Sequence, residues 1–313
     1  MKKIFTFIAA ALLGLGSIEA QTVVVSKTNG EKITLQASEV ASIEFNPAVD
    51  TTVVGSFKGY VTVTSRYFDN AYYGDSATVT VMRAGGESLV RFSDATWGTA
   101  LFTVERDGAN ISGSGALNMP NPQGGTVAPY DATISGTMQK ATISVPSVMG
   151  GTTITWTYGE APEALKVKGT WNGLDSLNVG KAFPYKAESA YDYVVTTNDD
   201  NSINITFPQE VYRGTVMGDL TMSGYTISNI AWNDSVQGFY KAFGDGTVKF
   251  HFSAYNQQTG NYTIDNDYYF DHSDKCFIEI RRQADGKLYV RHDFQMGAMP
   301  FPIYGTLVAT RKN

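Results

Sequence analysis

The sequence predicts an all-β protein: two consecutive antiparallel up-and-down β-barrels, preceded by a short β-hairpin. Three observations point there. Apolar and polar residues alternate with a period of two through most of the 313 residues, the pattern of strands with one buried face. Charged residues make up only 17%, while Gly, Thr, Ser and aromatics are plentiful, a mixture that favours strands and turns over helices. A five-residue pattern of Gly, hydroxyl residue, large aromatic, polar residue and Gly occurs twice, as Gly55-Ser56-Phe57-Lys58-Gly59 and as Gly169-Thr170-Trp171-Asn172-Gly173. Each copy is read as the first strand of its own barrel, and the chain is long enough for two domains that each bury a core.

The N-terminus carries an export address. Met1-Lys2-Lys3 gives a positive start, residues 4–15 an apolar run, and Ser17-Ile18-Glu19-Ala20 a small-residue end, the plan of a secretory signal peptide over residues 1–20. Cleavage near Ala20 would leave a chain that is soluble in the periplasm or outside the cell. No later stretch approaches the roughly 20 apolar residues of a transmembrane helix. A bacterial lipid anchor needs a cysteine at the cleavage point, and the single cysteine is Cys276. The formal net charge of −6 provides no basic field for a phosphate backbone, so nucleic acid is not expected as a partner.

Residues 21–50 form a hairpin and linker. Val23 to Val25 and Ile33 to Leu35 flank Asn29-Gly30, a dipeptide that accepts the positive φ angles of a tight turn. Residues 38–45 read as a turn or third strand and residues 46–50 as a linker. An isolated hairpin is marginal in water, so this one is expected to dock on the first barrel or on another protein.

The first barrel is assigned to residues 51–162. Val61 and Val63 alternate with Thr62 and Thr64, Ala77, Val79 and Val81 with Thr78 and Thr80, and Ile154 and Trp156 with Thr155 and Thr157. Further strands fall at 88–92, 97–104, 110–116, 132–138 and 141–145, separated by Asp69-Asn70, Gly85-Gly86, Asp107-Gly108 and Gly124-Gly125. About eight strands with hairpin-length links suit a closed barrel, since closure removes both unpaired edges. No helix-period run interrupts them, which excludes a parallel α/β fold.

The second barrel is assigned to residues 163–313. Residues 193–197 correspond to 77–81, Asn198-Asp199-Asp200-Asn201 is a turn, and 203–207 correspond to 88–92. Gly214-Thr215 is matched to Gly98-Thr99, and residues 223–229 to 106–113. After that the repeat lapses, with additional strands near 248–252, 262–270, 276–282, 287–294 and 303–310.

Gly169-Thr170-Trp171 resembles the Gly-x-Trp that opens the first strand of lipocalins. Together with the signal peptide, the repeated Gly-[Ser/Thr]-[Phe/Trp]-x-Gly and the Thr-rich strands, the chain resembles the tandem calycin-like (lipocalin-like) β-barrel domains of secreted Bacteroidetes proteins. The first unit departs from the pattern with Phe57 in place of Trp, and neither unit shows a C-terminal lipocalin arginine motif. Gly55, Phe57, Gly59, Gly169, Trp171 and Gly173 are expected to be structural, closing one end of each barrel, with the glycines letting the first strand bend. Asp50-Thr51-Thr52, Asp75-Ser76-Ala77, Asp175-Ser176-Leu177 and Asp234-Ser235-Val236 resemble the Asp-[Ser/Thr]-apolar acceptor of Bacteroidetes O-glycosylation.

Motifs of chemistry are missing. There is no Gly-x-Ser-x-Gly, Walker loop, His-Glu-x-x-His or Cys-x-x-Cys, and neither a catalytic residue nor a metal or other cofactor is expected. Of the histidines, His292 shares parity with Leu288, Val290 and Phe294 and should face the barrel interior, with Arg291 and Asp293 outside; His251 should face out. Cys276 reads as a buried structural thiol. Asp265-Asn266-Asp267 with Asp271 and Asp274 lacks calcium-loop spacing and reads as a solvated turn. Aromatics are the richest resource: Trp156, Trp171 and Trp97 suit cores, while Tyr67, Tyr72, Tyr73, Phe239 and Tyr240 near strand ends are expected to be exposed.

The expected function is a secreted, non-enzymatic binding protein whose barrels hold a small apolar or amphipathic ligand. The alternative is a structural or surface-interaction module that binds glycan or protein through barrel rims and the N-terminal hairpin. Ligand contacts are expected at His292, Trp97, Tyr72, Tyr73, Phe239 and Tyr240.

Overall fold

A computed structural model of the chain describes residues 22–26, 32–36, 51–121 and 129–312. The signal peptide with its cleavage point, the Asn29-Gly30 turn, the expected third strand at 38–45, the linker at 46–50 and the Gly124-Gly125 turn lie outside the described residues. The chain divides into two units, Met1–Asp50 and Thr51–Asn313. In the first, β1 (Thr22–Ser26) and β2 (Lys32–Gln36) pair antiparallel as a hairpin.

The second unit is all-β and contains both barrels. The first is built from β3 (Thr51–Thr64), β4 (Ala71–Ala84), β5 (Glu87–Asp94), β6 (Gly98–Asp107), β7 (Asn110–Asn118), β8 (Tyr130–Thr137), β9 (Lys140–Val145) and β10 (Thr152–Tyr158). Each strand pairs with its neighbours in sequence, and β10 returns to β3 to close the cylinder. The alternation read from the sequence is the in-and-out alternation of the wall. Val61, Val63, Val79, Phe92, Phe102, Ile134, Ile143 and Ile154 fill the interior around Trp156, each apolar side chain contributing about 1.5–3 kcal/mol by leaving water. Register shifts in β3 beside Gly55 and Gly59 bend this long strand around the cylinder. A Cβ at Gly59 would meet the Thr157 carbonyl and the Trp156 indole nitrogen at 2.6 Å. Phe57 is half-buried and packs edge-on against Tyr158.

A short helix, α1 (Glu163–Val167), leads into the second barrel. There follow β11 (Gly169–Val179), β12 (Phe183–Lys186), β13 (Tyr191–Thr197), β14 (Ile203–Phe207), β15 (Glu210–Thr215), β16 (Gly218–Met222), β17 (Tyr225–Asn233), β18 (Gly238–Ala242), β19 (Lys249–Asn256), β20 (Asn261–Tyr269), β21 (Phe277–Arg282), β22 (Leu288–Phe294) and β23 (Ile303–Arg311). The barrel is β11-β13-β14-β17-β18-β21-β22-β23, closed by β11 pairing with β23. The hairpins β15–β16 and β19–β20 leave the wall after its third and fifth strands. Because antiparallel strands alternate in direction, both emerge at the same end, where they join into a four-stranded sheet through β16 and β19.

This insertion corrects the repeat as read from sequence. The fourth wall strand, equivalent to β6, is β17, so Gly214-Thr215 does not stand where Gly98-Thr99 stands; it belongs to the inserted sheet. Of the additional strands, β19 and β20 are inserted, whereas β21, β22 and β23 complete the wall. Asp265-Asn266-Asp267 is likewise not a turn. It lies exposed within β20, where Asp267 and Asp265 face His251 of β19, each carboxylate 2.9 Å from a ring nitrogen.

The opposite end of the second barrel is closed by α1. The Trp171 indole donates to the Val167 carbonyl at 2.7 Å, and the Arg311 guanidinium lies over the Trp171 ring. The sequence showed no arginine motif for either barrel; the structure supplies Arg311 from the end of β23. The first barrel adjoins this end. Asp75 of β4 accepts from the Ala161 N–H, and Lys168 donates to the Asp69 carbonyl.

Candidate functional site

Five polar side chains meet inside the second barrel. Asp175 shares parity along β11 with Gly173 and Leu177, so it points inward and is 0% exposed. His292 of β22 is 1% exposed, and its Nε2 lies 2.9 Å from Asp175 Oδ1. Glu210 and Tyr212 share the inner face of β15 and reach in from the inserted sheet. Tyr212 Oη lies 2.8 Å from Asp175 Oδ2 and 2.9 Å from Glu210 Oε2. Tyr193 of β13 donates its hydroxyl to Glu210 Oε1. Room for the imidazole comes from Gly305, its partner across β22 and β23, where a Cβ would overlap the ring. Phe207 and Phe294 pack on the ring at centroid distances of 5.0 and 5.9 Å.

Burial sets the electrostatics of this cluster. Burial, reinforced by the Asp175 charge, pushes the Glu210 carboxyl up to about 7. Burial and the two carboxylates raise the hydroxyls of Tyr193 and Tyr212. For His292 burial acts downward, but the Asp175 charge and hydrogen bond outweigh it and leave the ring a stronger base than usual. His292 Nδ1 has no hydrogen-bond partner among the described residues, so the ring is tied in through Nε2.

Beside the cluster lies an apolar cavity of about 40 Å³. It sits where the barrel mouth meets the inserted sheet. Leu177, Phe294 and Ile303 form its floor and Leu220, Met222 and Phe252 its cover, with Met217, Met296 and Met299 around the side. Tyr212 belongs to both cavity and cluster. The polar atoms of the lining are already engaged: Thr215 Oγ1 donates to the Gly218 carbonyl and accepts from the Met217 N–H, and Tyr185 Oη accepts from the Val216 N–H. Phe183 and Val216 extend from the lining to the surface, 43% and 76% exposed. His292 does not line the cavity.

The six residues expected to touch a ligand fall in separate places. His292 faces the interior as its parity requires. Trp97 is buried in the first barrel, edge-on to Tyr73 at 5.2 Å. Tyr72 and Tyr73 are half-buried rather than exposed, because they stand where the first barrel meets α1 and β23; Tyr72 donates to Asp75 at 2.8 Å. Phe239 is 0% exposed, contrary to expectation, since its parity in β18 turns it into the core beneath Trp232. Its neighbour Tyr240 faces out, and Tyr67 is exposed. Asp293 is on the outer face with Arg291, as expected, but the guanidinium covers it.

Asp175, Glu210, Tyr212 and Tyr193 were not singled out in the sequence for a site. Parity with Trp171 and Leu177 marks Asp175 as inward-facing; in the sequence it stands out only as part of a glycosylation-like triplet. Glu210 and Tyr212 had no such signal, because β15 lies outside the repeat. Among the described residues, no group of three or more His, Cys, Asp or Glu is arranged to hold a metal ion.

Residues 167–307 match the family model of the calycin-like beta-barrel domain. The second barrel is a calycin-like β-barrel domain. A crystal structure of a candidate outer membrane protein from Bacteroides fragilis NCTC 9343 is similar to the chain, with a TM-score of 0.52 and 17% identity, over 82% of this chain and 97% of that one. So large a share extends beyond the calycin-like domain into the first barrel, and at that identity the likeness is one of fold. No curated protein matches the sequence. No helix among the described residues is long and apolar enough to cross a membrane.

Proposed function

We propose that the protein is an exported, non-enzymatic binding protein whose calycin-like domain takes up a small apolar molecule, or the apolar part of an amphipathic one, beneath the inserted sheet. The observation that carries this reading is the cavity at the barrel mouth, lined by apolar side chains and by polar atoms that already have partners. A hydrocarbon group can enter such a site without stranding a buried donor or acceptor. The cavity as it stands is smaller than an organic ligand, but four methionines surround it, and their unbranched, flexible side chains can move aside. The fold supports a binding role, and the N-terminal pattern supports export. Catalysis finds less support, because His292 is sealed away from the cavity.

The test is a titration with the neutral fluorophore N-phenyl-1-naphthylamine. Saturable enhancement is expected for the wild type, weakened at least tenfold in Leu220→Trp, which fills the cavity. Equal binding by a folded Leu220→Trp protein would place the ligand elsewhere.

A further inference from the structure

The cluster beneath the cavity does not hold together without an extra proton. Tyr212 Oη is within hydrogen-bond distance of both Asp175 Oδ2 and Glu210 Oε2, yet a phenol has one proton to donate. If both carboxyls were ionised, one of the two contacts would bring lone pairs together in a buried site. Tyr193 supplies the other oxygen of Glu210, and His292 Nε2 supplies the other oxygen of Asp175. The set closes when Tyr212 donates to Asp175 and a protonated Glu210 donates to Tyr212. Glu210, raised by burial and by the neighbouring Asp175, is the carboxyl that takes the proton.

The chain of contacts also spans two parts of the domain. Tyr193, Asp175 and His292 belong to the wall strands β13, β11 and β22, whereas Glu210 and Tyr212 belong to β15 of the cover. We propose that this cluster is a proton-dependent latch that seats the β15–β16 hairpin on the barrel mouth when Glu210 is protonated and loosens it when the proton is lost, so that pH governs access to the cavity. The inference rests on the cavity reading for its purpose, though not for its chemistry.

Every titratable or charged group facing Glu210 enters the balance: Asp175 from β11, Tyr193 from β13, Tyr212 from β15, Tyr225 from β17 and His292 from β22. Asp293 also acts on His292, and Cys276 on Tyr225. The carboxyl of Glu210 is raised from 4.5 to about 7 in the closed state. The contribution of the latch is therefore complete below about 4.5 and is lost as pH rises through about 7. His292 is also raised when closed, so it acts in the same direction.

Amide hydrogen exchange of β15, corrected for intrinsic rates and compared with β11 and β22, tests the latch in the full chain. Between pH 5 and 7, opening of β15 in the wild type is expected to rise about tenfold per pH unit for one proton, with no such change in the wall. Glu210→Gln keeps a donor and an acceptor at the same place without a titratable proton, and its β15 should open independently of pH between 5 and about 6.5, below the range in which His292 adds its own dependence. A flat wild-type profile, or an unchanged slope in Glu210→Gln, would overturn the latch. Should Glu210→Gln not fold, Tyr193→Phe decides: it removes a hydrogen bond that favours the carboxylate, so the Glu210 carboxyl signal in carbon-13 spectra should titrate at higher pH. An unmoved titration would count against the proposal. Probe binding separates the two readings. If β15 opens with pH but N-phenyl-1-naphthylamine does not bind in the cavity at any pH, the cavity reading falls and the latch stands. If the probe binds there while β15 opening stays flat, the latch falls and the cavity stands.

Discussion

The guanidinium of Arg311 lies 4.8 Å from the centre of the Trp171 ring, so the last strand of the second barrel clamps the first. The same guanidinium donates to the Lys166 carbonyl at 2.6 Å, and the indole beneath it donates to the carbonyl of Val167, the adjacent residue. Two side chains therefore tie α1 over the barrel end. Arg311→Ala removes the stacking and one charge-assisted hydrogen bond, which together are worth about 2 kcal/mol. Urea unfolding should show that loss, and Arg311→Lys should recover only part of it, because an ammonium lacks the flat face that stacks on the indole.

The two glycines that frame Phe57 should respond differently to the same substitution. At Gly59 a methyl would run into the Thr157 backbone and the Trp156 indole, whereas at Gly55 it would meet only the Phe57 ring at 3.1 Å. Gly59→Ala is predicted to cost about 1–3 kcal/mol, as overpacking does, and Gly55→Ala less than about 1. Thermal unfolding of the two variants side by side checks the contrast.

Gly305→Ala tests the space reserved for His292. The imidazole cannot retreat without breaking its bond to Asp175, so the added methyl should cost about 1–3 kcal/mol. Ala309 of the same strand already carries a methyl on its inward face. A Gly305→Ala protein as stable as the wild type would mean that the ring is free to move.

On the inserted sheet, His251 is an exposed base held between Asp267 and Asp265. Hydrogen bonds to Asp267 and then Asp265 raise its pKa above 6.5. Its contribution is present below about 6.5 and is lost as pH rises through the raised value. His251→Gln should therefore be less stable than the wild type at pH 5.5 and indistinguishable at pH 8.5, read by urea unfolding at each pH.

The walls of both barrels were legible because they obey one local rule, a period of two between turn residues. His292 could be placed inside and His251 outside from parity alone, and Trp171 could be placed at a barrel end from its glycine-flanked motif. The inserted sheet was not legible as a separate layer. Its strands have the same alternation as the wall, and what distinguishes β15 from β14 is which strand it pairs with, a non-local fact. Phe239 shows the same limit: a strand-end aromatic reads as exposed until the pairing of β18 with β17 and β21 shows which of its faces is the inner one. The cluster was hidden for a further reason. Asp175 and Glu210 are 35 positions apart, and acidic residues are read as solvated unless a partner is known.

Native mass spectrometry of the mature chain purified from its own host tests the central claim most directly. A bound small molecule is expected on the wild type and should be absent from Leu220→Trp prepared in the same way. A wild-type spectrum without adduct, or an adduct of the same mass and occupancy on both proteins, would contradict a ligand site in the cavity of the calycin-like domain.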